Sequence, residues 1–167
     1  MNTTPLKHFG LACVLSFSAL ASAVAAESNS FVENATQGGI LEIEAAKLAL
    51  QKSQSSDVRE FATTMQADHT KVNQELTALA KKQNIEVPDE ASMIDKAKKL
   101  LLEMRDESFD KGYAGNQVAA HEQTIELFKK QAESKENPEL QAFAKEKLPA
   151  LEHHLEMAKQ LKAKHDH

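Results

Sequence analysis

The chain has 167 residues, of which 41% are hydrophobic and 27% charged, with a formal net charge of −5. That length suits one ordinary domain, and the composition excludes both a disordered polymer and a membrane-embedded bundle. Gly and Pro number only 5 and 4, Tyr 1 and Trp 0, which is poor material for sheets and good material for helices.

Residues 1–26 read as a signal peptide. Lys7 and His8 precede an apolar run, Phe9 to Leu20, which is followed by the small residues ASAVAA. Val24 and Ala26 suit a small-residue cleavage site, so the mature chain is expected to start near Glu27 and to form one domain over 27–167. The run is shorter than the ~20 residues that span a bilayer, so no transmembrane anchor is expected in the mature chain. Cys13 stands too early in the run for a lipoprotein. Loss of this segment removes Lys7 and takes the net charge from −5 to −6. An acidic surface argues against nucleic acid and anionic membranes as partners. The single cysteine goes too, so packing must hold the mature chain together without disulfides, and thiolate metal sites are excluded.

The first helix is expected over Phe31–Lys52, opened by the capping box Ser30-x-x-Glu33. Gly38-Gly39 in its middle points to a bend or a close backbone approach, because the apolar pattern resumes at Ile40 and Leu41. Glu42 falls near the stripe of Ala35, Gly38/Gly39, Ala45/Ala46 and Ala49, whereas Glu44 points elsewhere. The short link SQSS makes the second helix, from about Asp57 to Gln83, an antiparallel neighbour. Its stripe is Val58, Phe61/Ala62, Met65, Val72, Leu76 and Leu79/Ala80, and the same spacing lands on His69, with Asp68 beside it. Pro88, in the turn NIEVPDE, stops any continuation. Ser92-x-x-Asp95 is expected to cap a short third helix, Met93 to about Arg105, with Met93, Ala97, Leu100, Leu101 and Met104 as its apolar side.

The fourth helix is expected over Phe109–Glu133, with Tyr113/Ala114, Gln117/Val118, His121, Ile125, Phe128 and Ala132 in its seam. Asn137-Pro138 is a strong helix start, and the fifth helix runs from there to about Lys162. Its stripe is Leu140, Phe143/Ala144, Leu148, Leu151, His154/Leu155, Ala158 and Leu161, with a kink expected at Pro149. A faint internal repeat links residues 48–62 to 127–144, each a helix end, a polar turn and a helix start with Phe-Ala. Two similar hairpins joined by a long segment predict an all-α four-helix bundle with one crossover and a short extra helix in it.

The stretches GGILEIEAAKLAL, VREFATTMQADHTK, FDKGYAGNQVAAHEQTIELF and LPALEHHLEMA, taken in that order, resemble the bacterial family catalogued as domain of unknown function 4142, whose members are often labelled predicted outer membrane proteins. The resemblance covers nearly all of the mature chain. It implies a ferritin-like four-helix bundle exported to the bacterial envelope, with Glu42, Asp68, His69, His121 and His154 at the positions of the family's polar residues. His153 falls outside that pattern. The resemblance brings no assigned activity.

Two readings of this polar seam stand. Ferritin-like di-iron sites draw Glu-x-x-His from two helices; this sequence has no Glu-x-x-His, so a di-iron centre and its redox chemistry are not expected. A mononuclear site for copper or zinc could use Glu42, Asp68, His69, His121 and His154, with Met65 and Met157 on the same faces tilting it toward copper. The leading reading is a metal-free network in which buried imidazoles and carboxylates hydrogen-bond across the bundle. No phosphate-cradling glycine loop or G-x-S-x-G turn is present. The expectation is therefore a non-enzymatic envelope protein, periplasmic or associated with the outer membrane, acting by binding or in stress protection. A metal ion or another envelope protein is the partner.

Overall fold

The computed structural model describes residues 17–103 and 109–166, apart from the side chains of 17–25, 96 and 99–103. Among the described residues all regular structure is helical, in the order α1 (Phe17–Lys52), α2 (Ser56–Lys82), α3 (Glu90–Glu103), α4 (Phe109–Glu133) and α5 (Pro138–His165). Residues 1–16 of the expected targeting segment lie outside the described residues, as do Met104 and Arg105; the side chains of Leu100 and Leu101 do as well.

Sequence and structure differ most at helix starts. α1 begins at Phe17, not Phe31, because the alanine-rich stretch before Phe31 holds no Gly or Pro to break it. Ser30 is therefore inside the helix, and its hydroxyl accepts from Asn34 Nδ2 at 3.2 Å in place of capping. Asp89, not Ser92, heads α3: its Oδ2 accepts from Ser92 N at 2.8 Å, and Asp caps as well as Ser does. α5 starts as the sequence predicts. Asn137 Oδ1 accepts from Leu140 N at 3.1 Å, with Pro138 in the first turn. The helix continues past Pro149, whose missing N–H falls on an exposed face, and ends at His165, three residues beyond Lys162.

α2 ends in a left-handed residue. Asn84 has φ 56°, Ile85 N donates to Ala80 O at 2.9 Å and Asn84 N donates to Lys81 O at 3.2 Å. This paired pattern closes a helix and turns the chain. Ile85 then packs on the same apolar cluster as Ala80.

The four long helices close a ring of contacts in the order α1–α2–α5–α4, the tightest pairs being α1–α2 and α4–α5. Residues 83–108 cross from the end of α2 to the start of α4. Within that crossover α3 lies on α1, where Met93 and Ala97 meet Ile40. Glu44, expected to point away from the stripe of Glu42, is also largely buried, and it pairs with Lys47 at 2.7 Å.

The interior has two apolar clusters. One gathers Phe31, Val32, Leu76, Ile125, Phe128, Leu140 and Phe143, with Phe31 edge-on to Phe128 at 5.3 Å between ring centroids. The other gathers Ala45, Ala49, Val58, Phe61, Met65, Tyr113, Ala158 and Leu161. Residues from opposite ends of neighbouring helices share each cluster, so neighbours in the ring are antiparallel. Between the clusters runs a polar layer to which every long helix contributes: Thr36 and Glu42 from α1, His69 from α2, Gln117 and His121 from α4, His154 from α5.

Gly39 lets this layer close. A methyl group there would stand 2.1 Å from Asn73 Oδ1, and the Asn73 amide donates to Thr36 O at 3.3 Å. At Gly38 the nearest atom to such a methyl, Thr124 Oγ1, is 3.9 Å away. Gly38→Ala should therefore raise stability by ~0.5–1 kcal/mol through helix propensity. Gly39→Ala should show no such gain in a urea melt, and should recover it when combined with Asn73→Ala. Equal gains from the two single variants would refute the close approach.

Candidate metal centre

His69, His121 and His154 follow from the helical repeat. Each takes a seam position between apolar residues of its own helix: Met65 and Leu76, Ala114 and Ile125, Leu151 and Ala158. The ring of antiparallel helices brings these positions to one level. The imidazole centroids lie 5.5, 5.6 and 5.6 Å apart, a nearly equilateral triangle. All three residues are buried, at 4%, 1% and 4% exposure. One ligand atom from each lies within 4.8 Å of the other two. A point central to the three is thus at most about 2.8 Å from each, against ~2.0–2.1 Å for a metal–imidazole bond. A small inward turn of the rings would close the gap.

The outer bonds of the trio fix its tautomers. His121 Nδ1 is 2.8 Å from Gln117 O; a carbonyl only accepts, so Nδ1 carries the proton and Nε2 is left as a lone pair. His154 Nε2 is 3.0 Å from Asp68 Oδ2, so by the same logic Nε2–H donates and Nδ1 is left as a lone pair. His121 Nε2, His154 Nδ1 and His69 Nε2 are all buried with no hydrogen-bond partner. Of these three atoms only His69 Nε2 could carry a proton, so at least one lone pair stays unsatisfied whatever tautomer His69 adopts. Each buried orphan costs ~1–3 kcal/mol. A carboxylate or carbonyl behind a histidine is also how metal-binding imidazoles are held and oriented.

Burial keeps the trio neutral. Desolvation, with repulsion from His121 and His154 added, pushes His69 down from 6.5 to about 3. Desolvation pushes His121 to about 4 against the opposing pull of the Gln117 carbonyl. His154 is lowered by burial despite its bond to Asp68. At neutral pH the imidazoles therefore offer lone pairs, the form that binds metal.

Of the five residues expected at a metal, His69, His121 and His154 gather. Asp68 stands behind His154 as its hydrogen-bond acceptor. Glu42 is not among the side chains whose ligand atoms meet there. It is buried beside Gln117, and desolvation, opposed by the Gln117 hydrogen bond, raises it from 4.5 to about 7; its Oε2 has no partner. Met65 is a buried member of the apolar cluster around Phe61 and Ala158, and Met157, partly buried, packs against the same cluster. Sequence reasoning did not single out the Gln117 carbonyl, although the helical i−4 relation to His121 signals it. It also passed over Phe61 as a wall of the site, with its ring edge-on to His121 at 6.5 Å, and over Asn73 as the partner of Gly39.

These shifts set the pH response of the metal-free protein. The unfolded chain protonates its histidines near 6.5, while folded His69 and His121 refuse protons until about 3 and 4. Their stabilising effect is complete above the unfolded value and is lost as pH falls through it. Glu42 works the other way: folded it holds its proton up to about 7, unfolded only to 4.5, so its contribution is lost as pH rises between those values. The histidines outnumber it, and urea melts should show stability falling by ~2 kcal/mol between about pH 7 and pH 5. Glu42→Gln should stabilise the protein at about pH 8, by up to ~3 kcal/mol, and steepen the acid-side loss. A Glu42→Gln protein no more stable than the wild type at that pH would contradict the burial of a charge at Glu42.

One family model matches residues 16–161. No curated protein and no solved structure matches the chain. The match takes in α1, α2, α4 and most of α5 together with the three histidines, and the chain belongs to the family described as domain of unknown function (DUF4142).

Proposed function

We propose that this protein binds one transition-metal ion, zinc or copper, between His69, His121 and His154, and acts by binding, not by catalysis. The observation that carries this reading is three buried imidazoles that bring one ligand atom each within 4.8 Å of the others, each ring with a buried nitrogen that has no partner. A metal-free network accounts for the outer bonds of His121 and His154 but not for the inner atoms. Three imidazole donors suit a borderline cation such as Zn²⁺ or Cu²⁺. A hard cation such as Mg²⁺ or Ca²⁺ prefers oxygen and finds none in the trio.

The arrangement around the site is, in this reading, a ferritin-like four-helix bundle with α3 in its crossover. The ring order, the antiparallel neighbours and the long α2–α4 connection support it. Ferritin-like ligand sites likewise sit in the bundle centre on facing helices. Residues 1–26 serve as a signal peptide, which places the mature protein in the periplasm or against the outer membrane. No helix among the described residues is long and apolar enough to cross a membrane.

The test is elemental analysis of the untagged protein, followed by thermal melts with and without Zn²⁺ and Cu²⁺. One ion per chain is expected. At ligand concentrations ~1,000 times the dissociation constant, stabilisation is about 4 kcal/mol, which for a domain of this size is a rise in Tm on the order of 10 °C. His121→Ala should abolish that rise. An unchanged Tm with either metal would retire the metal site and return the trio to a purely structural role.

A further inference from the structure

We propose that the carboxylate of Asp68 is where a divalent cation enters the molecule, passing through the α2–α5 seam to the three imidazoles. This proposal rests on the metal-binding reading above and adds a route to it.

The trio is closed along the helix axes by the two apolar clusters, which no hydrated ion crosses cheaply. The ion must come sideways, through one of four seams. The α1–α2 seam is filled where Asn73 lies against Gly39. The α1–α4 seam holds Gly38 against Thr124 and the buried pair Glu42 and Gln117. The α4–α5 seam is the most extensively packed in the molecule, with Phe128 and Phe143 in contact at 6.2 Å and Lys129 paired to Glu152 at its rim.

The α2–α5 seam differs. It is among the thinner contacts of the ring, and at the level of the trio it presents Asp68. That side chain is 49% exposed, yet its Oδ2 lies 3.0 Å from His154 Nε2, on an imidazole only 5% exposed. The other nitrogen of the same ring, Nδ1, is buried and unpartnered, and the ring belongs to the trio. A single imidazole therefore separates a solvent-facing carboxylate from the site.

The chemistry needs only ligand exchange. The carboxylate draws a hydrated cation and, while holding it, releases His154 Nε2–H. His154 is then free to turn and let the ion pass. The ion trades waters for three neutral imidazole nitrogens, and Asp68 takes back Nε2–H. No proton leaves the trio and no covalent bond of the protein changes.

The experiment is stopped-flow uptake of Co²⁺, read by its visible absorption, into the metal-free full chain. The wild-type association rate should fall as salt is added, because a surface carboxylate steers the ion. Asp68→Asn keeps an oxygen acceptor for His154 and loses the charge. It should slow association about tenfold at low salt and flatten the salt dependence, with Asp68→Glu restoring most of the rate. Glu126→Gln, an exposed acid on α4, should leave the rate unchanged. An Asp68→Asn protein that takes up Co²⁺ at the wild-type rate but releases it faster would overturn the route and leave Asp68 only an orienting role. A salt-independent wild-type rate would overturn it without any variant. Failure of the wild type to take up Co²⁺ at all would instead bring down the metal reading on which the route depends.

Discussion

Three imidazoles that face one another across a closed interior pose a problem that hydrogen bonding alone does not solve. Each ring has one proton to give when neutral, and in His121 and His154 that proton is already committed outward, to the Gln117 carbonyl and the Asp68 carboxylate. The remaining nitrogens of those two rings are then acceptors, and of the three partnerless atoms only His69 Nε2 can carry a proton. Protonation would supply further donors, but the same burial that isolates the rings pushes the affinity of His69 and His121 for protons far down. A bound metal ion, as proposed above, would accept several of these lone pairs at once. The rest of the central layer accords with this constraint, with neutral rings and tautomers fixed from outside.

The topology makes the layer possible. Antiparallel neighbours place the middle of every long helix at the same height, so a polar residue near each helix centre lands in one plane. The apolar clusters at either end carry the stability, with large side chains such as Phe31, Phe128, Leu140 and Phe143 in one and Val58, Phe61, Tyr113 and Leu161 in the other. Burial of each such side chain is worth ~1.5–3 kcal/mol, enough to carry a few orphaned polar atoms between them. Glu42 adds to that load, since a buried carboxylate that holds its proton to about 7 is a group the fold tolerates more than uses.

Much of this was legible in the sequence because helix seams are periodic. His69, His121 and His154 each fell on an apolar stripe, and the bounds of α2, α4 and the start of α5 followed from short polar links and from Asn137-Pro138. What periodicity could not supply was the rotation of each helix against its neighbours. Glu42 and His69 looked equivalent on their stripes, yet only the histidine reaches the trio, while Glu42 meets Gln117. Glu44 fell off the apolar stripe of α1, and its burial leaves no mark in that periodicity. The upstream start of α1 was hidden by a good capping box at Ser30. A cap motif ends a helix only when the residues before it resist the helix, and alanine does not.

The distribution of the three histidines also bears on what holds the molecule together. The chain folds as two hairpins, α1–α2 and α4–α5, each with an extensive internal contact and a thinner one to the other hairpin. His69 belongs to the first, His121 and His154 to the second. The direct hydrogen bond from His154 to Asp68 crosses the same boundary. An ion bound to all three imidazoles would tie the hairpins together where packing is thinnest, work that a disulfide does in many small domains. Cys13 is the only cysteine in the sequence, so no disulfide within the chain can serve there. Under the proposed metal reading the site would join binding to architecture: an ion held by the trio would stabilise the arrangement of helices that created it, and its loss would be felt first as a loosening between the two hairpins.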